Sequence, residues 1–406
     1  MALAAADVLG LAQKPVLDEN QITSYEYYVY SPFSPASLGY SDEITIAINF
    51  HDLLTDTANS FVYVEGKITK ADGVTKGESE LVCNGVAHLF EEVRFKMASQ
   101  EISKTRNTGI VSTLKNYLLL NPLESHFMQM SGWENPHTSL TKDGKFTAFI
   151  PLKSLLGLAE DLNSPIINAK QELTLLRSRS DVDCLKGAAG NTDKIVLSKI
   201  AWHVPHITLS DSMRLKLMKI IDADQPLQIA FRDFSIFEHP LTENKKDSWT
   251  ILTTTALKRP KFVIVALQTG RRNDVTKDAS VFDHCSITDM RCFLNAQCYP
   301  YAALNSDFTH NQYLQQYLNY CRMKGSFAGT NIFEPLLSYS DFKSKAPIFV
   351  FDTTKSADNL IDSTVDCRIE YSSSEAIPKD TIAYALIIHD RLCEYRPLSN
   401  SLKTLV

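Results

Sequence analysis

Alternation of apolar with small or polar residues at a period of two runs through most of this chain. Ile44-Thr-Ile-Ala-Ile-Asn49 shows it, and Phe61 to Thr69 repeats it with Phe61, Tyr63 and Glu65 on one side. That period belongs to strands with one face buried. His88 to Gln100 carries apolar residues at 89, 90, 93, 95 and 97. Lys194 to Val204 reads as a long strand stopped by Pro205, and Lys142-Asp-Gly-Lys145 as a hairpin turn before Phe146. Asp72-Gly73 marks another turn, and Asn107-Thr-Gly109 a break. Helical signals are fewer. Val111 to Leu120 reads as a helix with Ser112 or Thr113 as N-cap, and Met213 to Ile221 as one capped by Ser210 or Asp211. Asn311 to Lys324 is a third, with Tyr313, Leu314, Tyr317 and Leu318 on one face. Leu227 reopens the strand pattern, which continues through Trp249 to Leu252, Lys261 to Gln268, Ser286 to Cys298 and Pro347 to Tyr371. Thr381 to His389 reads as a buried closing strand. Runs of strands with few helices between them predict an all-β, antiparallel sandwich architecture.

The pattern also repeats. Phe146 to Leu152, a spacer and Glu172 to Arg177 recur as Pro347 to Asp352, a similar spacer and Cys367 to Tyr371. Phe61-Val-Tyr-Val64 matches Phe262-Val-Ile-Val265 at an offset of 201. Val93 to Ile102 matches Met290 to Tyr299 at 197, and Tyr27 to Pro35 loosely matches Arg232 to Pro240 at 205. Segments that recur in one order at a nearly constant offset indicate a duplicated β-domain.

Bulk agrees with duplication, since 406 residues are too many for one small core and suit two of about 200 each. The division expected is an arm over 1–21, a first sandwich over 22–205, a connecting helix over 206–226, a second sandwich over 227–396 and a tail over 397–406. Hydrophobic residues make up 44% and charged ones 22%, with a mean hydropathy of −0.13, the balance of a globular protein. No apolar run reaches the length of a membrane span. The net charge of −6 and the absence of a basic arm argue against a direct grip on a nucleic-acid backbone. Eight cysteines without a C-x-x-C, together with the lack of an N-glycosylation acceptor, suggest reduced thiols in a protein assembled outside the secretory route. Met1 to Gln13 is apolar but carries Asp7 and no basic start, so it reads as a docking helix or a frayed tail rather than a signal peptide.

Candidate chemistry is sparse. Phosphate-loop, dinucleotide, zincin and hydrolase-elbow motifs are absent. His203 and His206 lie three apart, which on a strand puts them on opposite faces, against a metal pair. Asp283-His284-Cys285 sets a nucleophile beside a base, but neighbours on a strand also point apart. Arg271-Arg272, near Asp274, reads as a solvated turn or an inter-subunit salt bridge. The sequence thus nominates no catalytic residue, no cofactor-binding residue and no metal ligand.

Ile150-Pro-Leu-Lys-Ser-Leu-Leu-Gly157, Glu172 to Arg177, Lys194 to Trp202, Pro260 to Val265 and Pro347 to Asp352 resemble, in that order, segments of the double-jelly-roll major capsid proteins of double-stranded DNA viruses. The likeness runs from about Tyr25 to Asp390 and is strongest to capsid-like proteins of Polinton and adintovirus type elements, with relatives in arthropod and cnidarian genomes. The chain is short beside giant-virus members, which implies brief loops and a low outer surface. The resemblance implies two tandem eight-stranded jelly rolls with a few short helices. It further implies a homotrimer of pseudo-hexagonal outline in an icosahedral shell, with capsomer neighbours, penton and minor capsid proteins as partners. The expected place is the virion, after synthesis in the host cytoplasm and assembly there or in the nucleus, with or without an internal membrane. Two other classes stay open: a β-sandwich binding module, which would want an aromatic platform in a loop, and a cupin-like metal enzyme.

Overall fold

The computed structural model describes residues 22–33, 38–49, 54–251, 260–330, 333–355 and 365–405. The expected arm over 1–21 lies outside them.

Among the described residues, sixteen main strands build two sandwiches, with a few short strands at their edges. The first holds β1 Ile22–Tyr30, β2 Glu43–Ile48, β3 Phe61–Thr69, β4 Phe90–Met97, β5 Gln100–Arg106, β6 Lys145–Pro151, β7 Gln171–Arg177 and β8 Lys194–Leu209. The second holds β9 Leu227–Pro240, β10 Lys246–Ile251, β11 Pro260–Thr269, β12 Ile287–Leu294, β13 Gln297–Tyr299, β14 Phe349–Asp352, β15 Cys367–Ser373 and β16 Thr381–Arg396. In the first, one sheet runs β1-β8-β3-β6 and the facing sheet β2-β7-β4-β5. In the second, the sheets run β9-β16-β11-β14 and β10-β15-β12-β13. Adding eight to each strand number converts one sandwich into the other, and all these pairings are antiparallel. Phe61 to Val64 and Phe262 to Val265 therefore occupy equivalent strands, as their offset implied.

Helices fill the ends and the seam. They include α1 Thr108–Leu119, α2 Pro122–Met128, α3 Asp211–Asp222, α4 Leu314–Ala328 and α5 Tyr339–Lys345. α1 and α4 occupy equivalent places, each between the fifth and sixth strands of its sandwich. At the hairpin into β6, Asp143 and Gly144 sit at φ of 52° and 76°, the left-handed pair that a two-residue turn requires.

Several boundaries differ from the sequence reading. α1 begins at Thr108, with Asn107 as N-cap at φ 48°, so Ser112 and Thr113 are buried inside the helix rather than capping it. α4 buries Gln316, Tyr320, Met323 and Phe327, while Leu314 and Leu318 of the expected face point outward. Tyr313 and Tyr317 of that face do meet the core, so the buried side runs through Tyr313, Tyr317, Tyr320 and Phe327 and leaves out only the two leucines. β8 passes through Pro205 to Leu209, because the proline faces Tyr27 in the ladder and its carbonyl still accepts from Asp56 N–H at 2.9 Å. β16 runs on to Arg396, and within the expected tail over 397–406 Ser401–Thr404 folds back onto it as a short strand.

Three apolar clusters hold the molecule. The first fills the first sandwich, with Phe95, Trp202, Leu173 and Ile46 among its fully buried members, and takes in Phe231, Cys393, Tyr395 and Leu402 from the second half. The second sandwich has its own filling around Val263, Val265, Ile287, Phe349 and Ile387. The third lies outside both: Phe262, Ile264, Leu386 and Ile388 on the outer face of the β11 sheet pack on Leu114, Tyr117 and Leu118 of α1, Trp133, and Tyr320 and Met323 of α4. β11 is consequently dry on both faces, which explains why it reads Phe-Val-Ile-Val-Ala-Leu without alternation, whereas its equivalent β3 alternates.

Polar contacts fix the same seam. Asp161 accepts from Arg232 N–H and Nε at 2.8 Å each and pairs with its guanidinium, which also stacks 3.4 Å from the Phe327 ring centroid. Gly157 approaches so closely that an added Cβ would meet the Arg232 carbonyl oxygen at 2.2 Å. Ser103 donates to Asp233 at 2.8 Å, and Tyr320 to the Tyr117 carbonyl at 3.0 Å. Within the first sandwich, the buried Arg177 guanidinium pairs with Asp181, whose other oxygen accepts from Tyr40 at 2.8 Å and Ile195 N–H at 2.7 Å.

Asp181→Ala strands the Arg177 charge in a dry site and is expected to cost about 3 kcal/mol in urea unfolding, whereas Asp72→Ala in an exposed turn should leave the midpoint far less changed. Gly157→Ala pushes backbone against backbone and is expected to lower stability by about 2 kcal/mol in the same assay.

Candidate assembly surfaces

Aromatic side chains reach the surface of the first sandwich along β1 and the strands beside it. Tyr25, Tyr27, Tyr28 and Val29 are about half exposed on a strand that pairs, among the described strands, with β8 alone. On the outer side of the sheet the rings adjoin in sequence: Tyr25 to Tyr27 at 6.2 Å, Tyr27 to Phe61 at 6.0 Å, Phe61 to Phe149 at 6.2 Å, and Phe149 to Tyr63 and to His203 at 5.1 Å each. An edge strand with free backbone groups and apolar side chains invites a partner. The run was visible in the sequence as Tyr25, Tyr27 and Tyr28, but nothing there told an edge strand from an inner one.

Two other places are open. α3 buries none of its residues and presents Leu215, Met218 and Ile220. A cleft of about 740 Å³ separates the sandwiches, lined by His88, Arg106, Arg179, Asp183, Glu238 and Arg272 among others. Its charges are matched internally: Arg106 meets Glu92 at 3.1 Å and Arg272 meets Glu238 at 2.7 Å.

The residues weighed from the sequence fall as follows. His203 packs on Phe149 and Tyr63 on the outer face of β8, while His206 lies inward, stacked on Tyr28 with its Nε2 2.9 Å from the Tyr30 hydroxyl. The two are not brought together. Asp283, His284 and Cys285 occupy a loop ahead of β12 rather than a strand, with Cys285 at φ 44°. Asp283 is held by Arg271 at 2.6 and 3.0 Å, and His284 stacks on Phe308 at 4.7 Å and accepts from Ser286 N–H. Burial pushes the Cys285 thiol up to about 11, which leaves it protonated at neutral pH and a weak nucleophile. Cys83 is likewise pushed up to about 12 by burial. Arg272 lies in an exposed turn, as read, and both guanidinium groups are engaged within the chain, Arg271 with Asp283 and Arg272 with Glu238. All eight cysteines are free thiols, and no cluster of three or more His, Cys, Asp or Glu side chains able to hold a metal occurs among the described residues.

Paired sandwiches in this strand order are two jelly rolls. The family model for the double jelly roll-like domain matches residues 79–393, and the chain belongs to that family. Among solved structures it is similar to VP54 of PBCV-1, as fitted into a reconstruction of the virophage Sputnik, at 12% identity and a TM-score of 0.63 over 97% of this chain and 99% of that one. It is similar to the major capsid protein of Faustovirus at 10% identity and 0.59 over 100% and 95%, and to that of mavirus at 11% and 0.57 over 100% and 95%. At those identities the likeness is one of fold. No curated protein matches the chain by sequence.

Burial is the largest cause holding His88, His203, His206, His284 and His389 below the ordinary histidine value of 6.5. The unfolded chain takes up protons near that value that the folded chain refuses. Stability contributed this way is complete above about pH 6.5 and is lost as the pH falls below it. Urea midpoints are expected to drop between pH 7.5 and 5.5, before carboxylates titrate, and His206→Gln is expected to flatten that slope.

Proposed function

We propose that this chain is a structural subunit of the shell of an icosahedral double-stranded DNA virus or a virus-derived element of Polinton type, and that it works as a homotrimer. The observation that carries the reading is the duplicated sandwich with a shared core. Three copies place six near-equivalent blocks around one axis, so a threefold particle acquires a nearly hexagonal outline and tiles a facet while its own symmetry stays closed. The proteins it resembles in fold are described as virus capsid components, which supports the same role. The proposed division follows the sequence, with a first jelly roll from 22, a connection around α3 and a second from 227. The chain's work is burial between subunits and no catalysis. Its partners are copies of itself and, at vertices and seams, penton and minor capsid proteins. The net charge of −6 suits a shell whose genome is condensed by other proteins. Its place is the virion.

Mass photometry of the purified chain at near-physiological salt is expected to show trimers or larger assemblies. A stable monomer at micromolar concentration overturns the reading.

A further inference from the structure

α3 carries apolar side chains that nothing among the described residues buries. Met213, Leu217 and Ile221 lie four residues apart and form one stripe along the helix, flanked by Ile220 and Met218. A stripe of that kind ordinarily faces a core. Here none of the helix's residues is buried, and Leu215 is 63% exposed, Ile220 42% and Met218 41%. The patch continues past the C-terminal end of the helix, where Asp224 accepts from Leu398 N–H at 3.2 Å and so holds the exposed Leu398 nearby.

The place where the described chain begins bears on what covers this patch. Ile22 opens β1 opposite Leu209, the last residue of β8, and the two strands are antiparallel. Residue 21 therefore leaves the sheet beside Ser210, the N-cap of α3. Residues 1–21 lie outside the described ones, and in sequence they hold Leu3, Val8, Leu9 and Leu11. The stretch 12–21 can span about 33 Å when extended and α3 is about 18 Å long, so Leu3 to Leu11 can reach every turn of the helix. Charge agrees with that contact. α3 has Arg214, Lys216 and Lys219 against Asp211 and Asp222, whereas residues 1–21 have Asp7, Asp18 and Glu19 against Lys14. A tether this short holds its end at an effective concentration on the order of millimolar, so a contact too weak to join separate chains closes within one.

We propose that residues 3–11 of the same chain lie along the apolar stripe of α3 and cover it. The contact goes beyond the shell reading and does not depend on the trimer. Its work is to keep an exposed apolar helix face from meeting other apolar surfaces.

Hydrogen exchange of the full chain, read by mass spectrometry, tests it. Amides of residues 3–11 are expected to exchange about tenfold or more slowly than in a synthetic peptide of residues 1–21. Met218→Glu is expected to remove that protection, and Leu9→Glu to speed exchange across residues 211–222. Ile220→Glu and Leu11→Glu are the second choices should either variant misfold by circular dichroism, and unchanged exchange over β11 shows that the fold is kept. Mixing the two variants separates a chain's own arm from a neighbour's, because an intact arm and an intact α3 then sit on different chains. The wild-type arm peptide, which comes only from the Met218→Glu chain, is expected to stay fast in the mixture. Restored protection there assigns the contact to a second copy and overturns the proposal. An arm that exchanges like the free peptide in the wild-type chain overturns it too, as does protection that survives both α3 variants. Protection of α3 that appears only with vesicles of anionic phospholipid makes a lipid surface the occupant and overturns it equally.

Discussion

Keeping one sheet dry on both sides is the constraint on which the rest of this molecule depends. The sheet β9-β16-β11-β14 fills the second sandwich with one face and needs a second apolar layer on the other, and α1, from the opposite half of the chain, supplies much of it. Ile110, Val111, Leu114, Tyr117 and Leu118 go into that layer. At ~2 kcal/mol per buried side chain, five come to ~10 kcal/mol, comparable with the whole net stability of an ordinary domain. The seam is therefore part of the fold rather than a contact between two finished domains.

The polar groups at the seam do a different job. Ion pairs of this kind return little net stability after desolvation, but they fix position. Arg232 takes both oxygens of Asp161, donates to the Phe327 carbonyl and sits over the Phe327 ring. Those contacts specify one placement of the Gly157–Asp161 turn along β9, where apolar packing alone would tolerate sliding.

Strands and their duplication were legible because a buried face imposes a period of two, and the segments at offsets of 197 to 205 fall on equivalent strands. Helix details were legible only in part. Ser112 and Thr113 have the chemistry of caps, yet Asn107, in the left-handed region, opens the helix one turn earlier. Of the stripe expected on α4, Tyr313 and Tyr317 meet the core beside Tyr320 and Met323, while Leu314 and Leu318 fall on its outer edge. Pro205 looked like a stop because a missing N–H usually ends pairing, and its strand continues since its carbonyl stays bonded. The assembly surfaces were the least readable, because β1 carries aromatic residues whose exposure depends on which strands lie beside it.

The double-faced sheet also dictates an order of events during synthesis. Residues 108–119 leave the ribosome well before the strands on which they rest, since β11 starts at Pro260 and β16 at Thr381. For about 150 residues of elongation, roughly ten to thirty seconds at ordinary translation rates, α1 lacks the sheet on which its apolar side rests. Nascent copies on one message are then close enough to find each other through it. The chain is in this way most prone to association before release, while its half-made form still shows that apolar side.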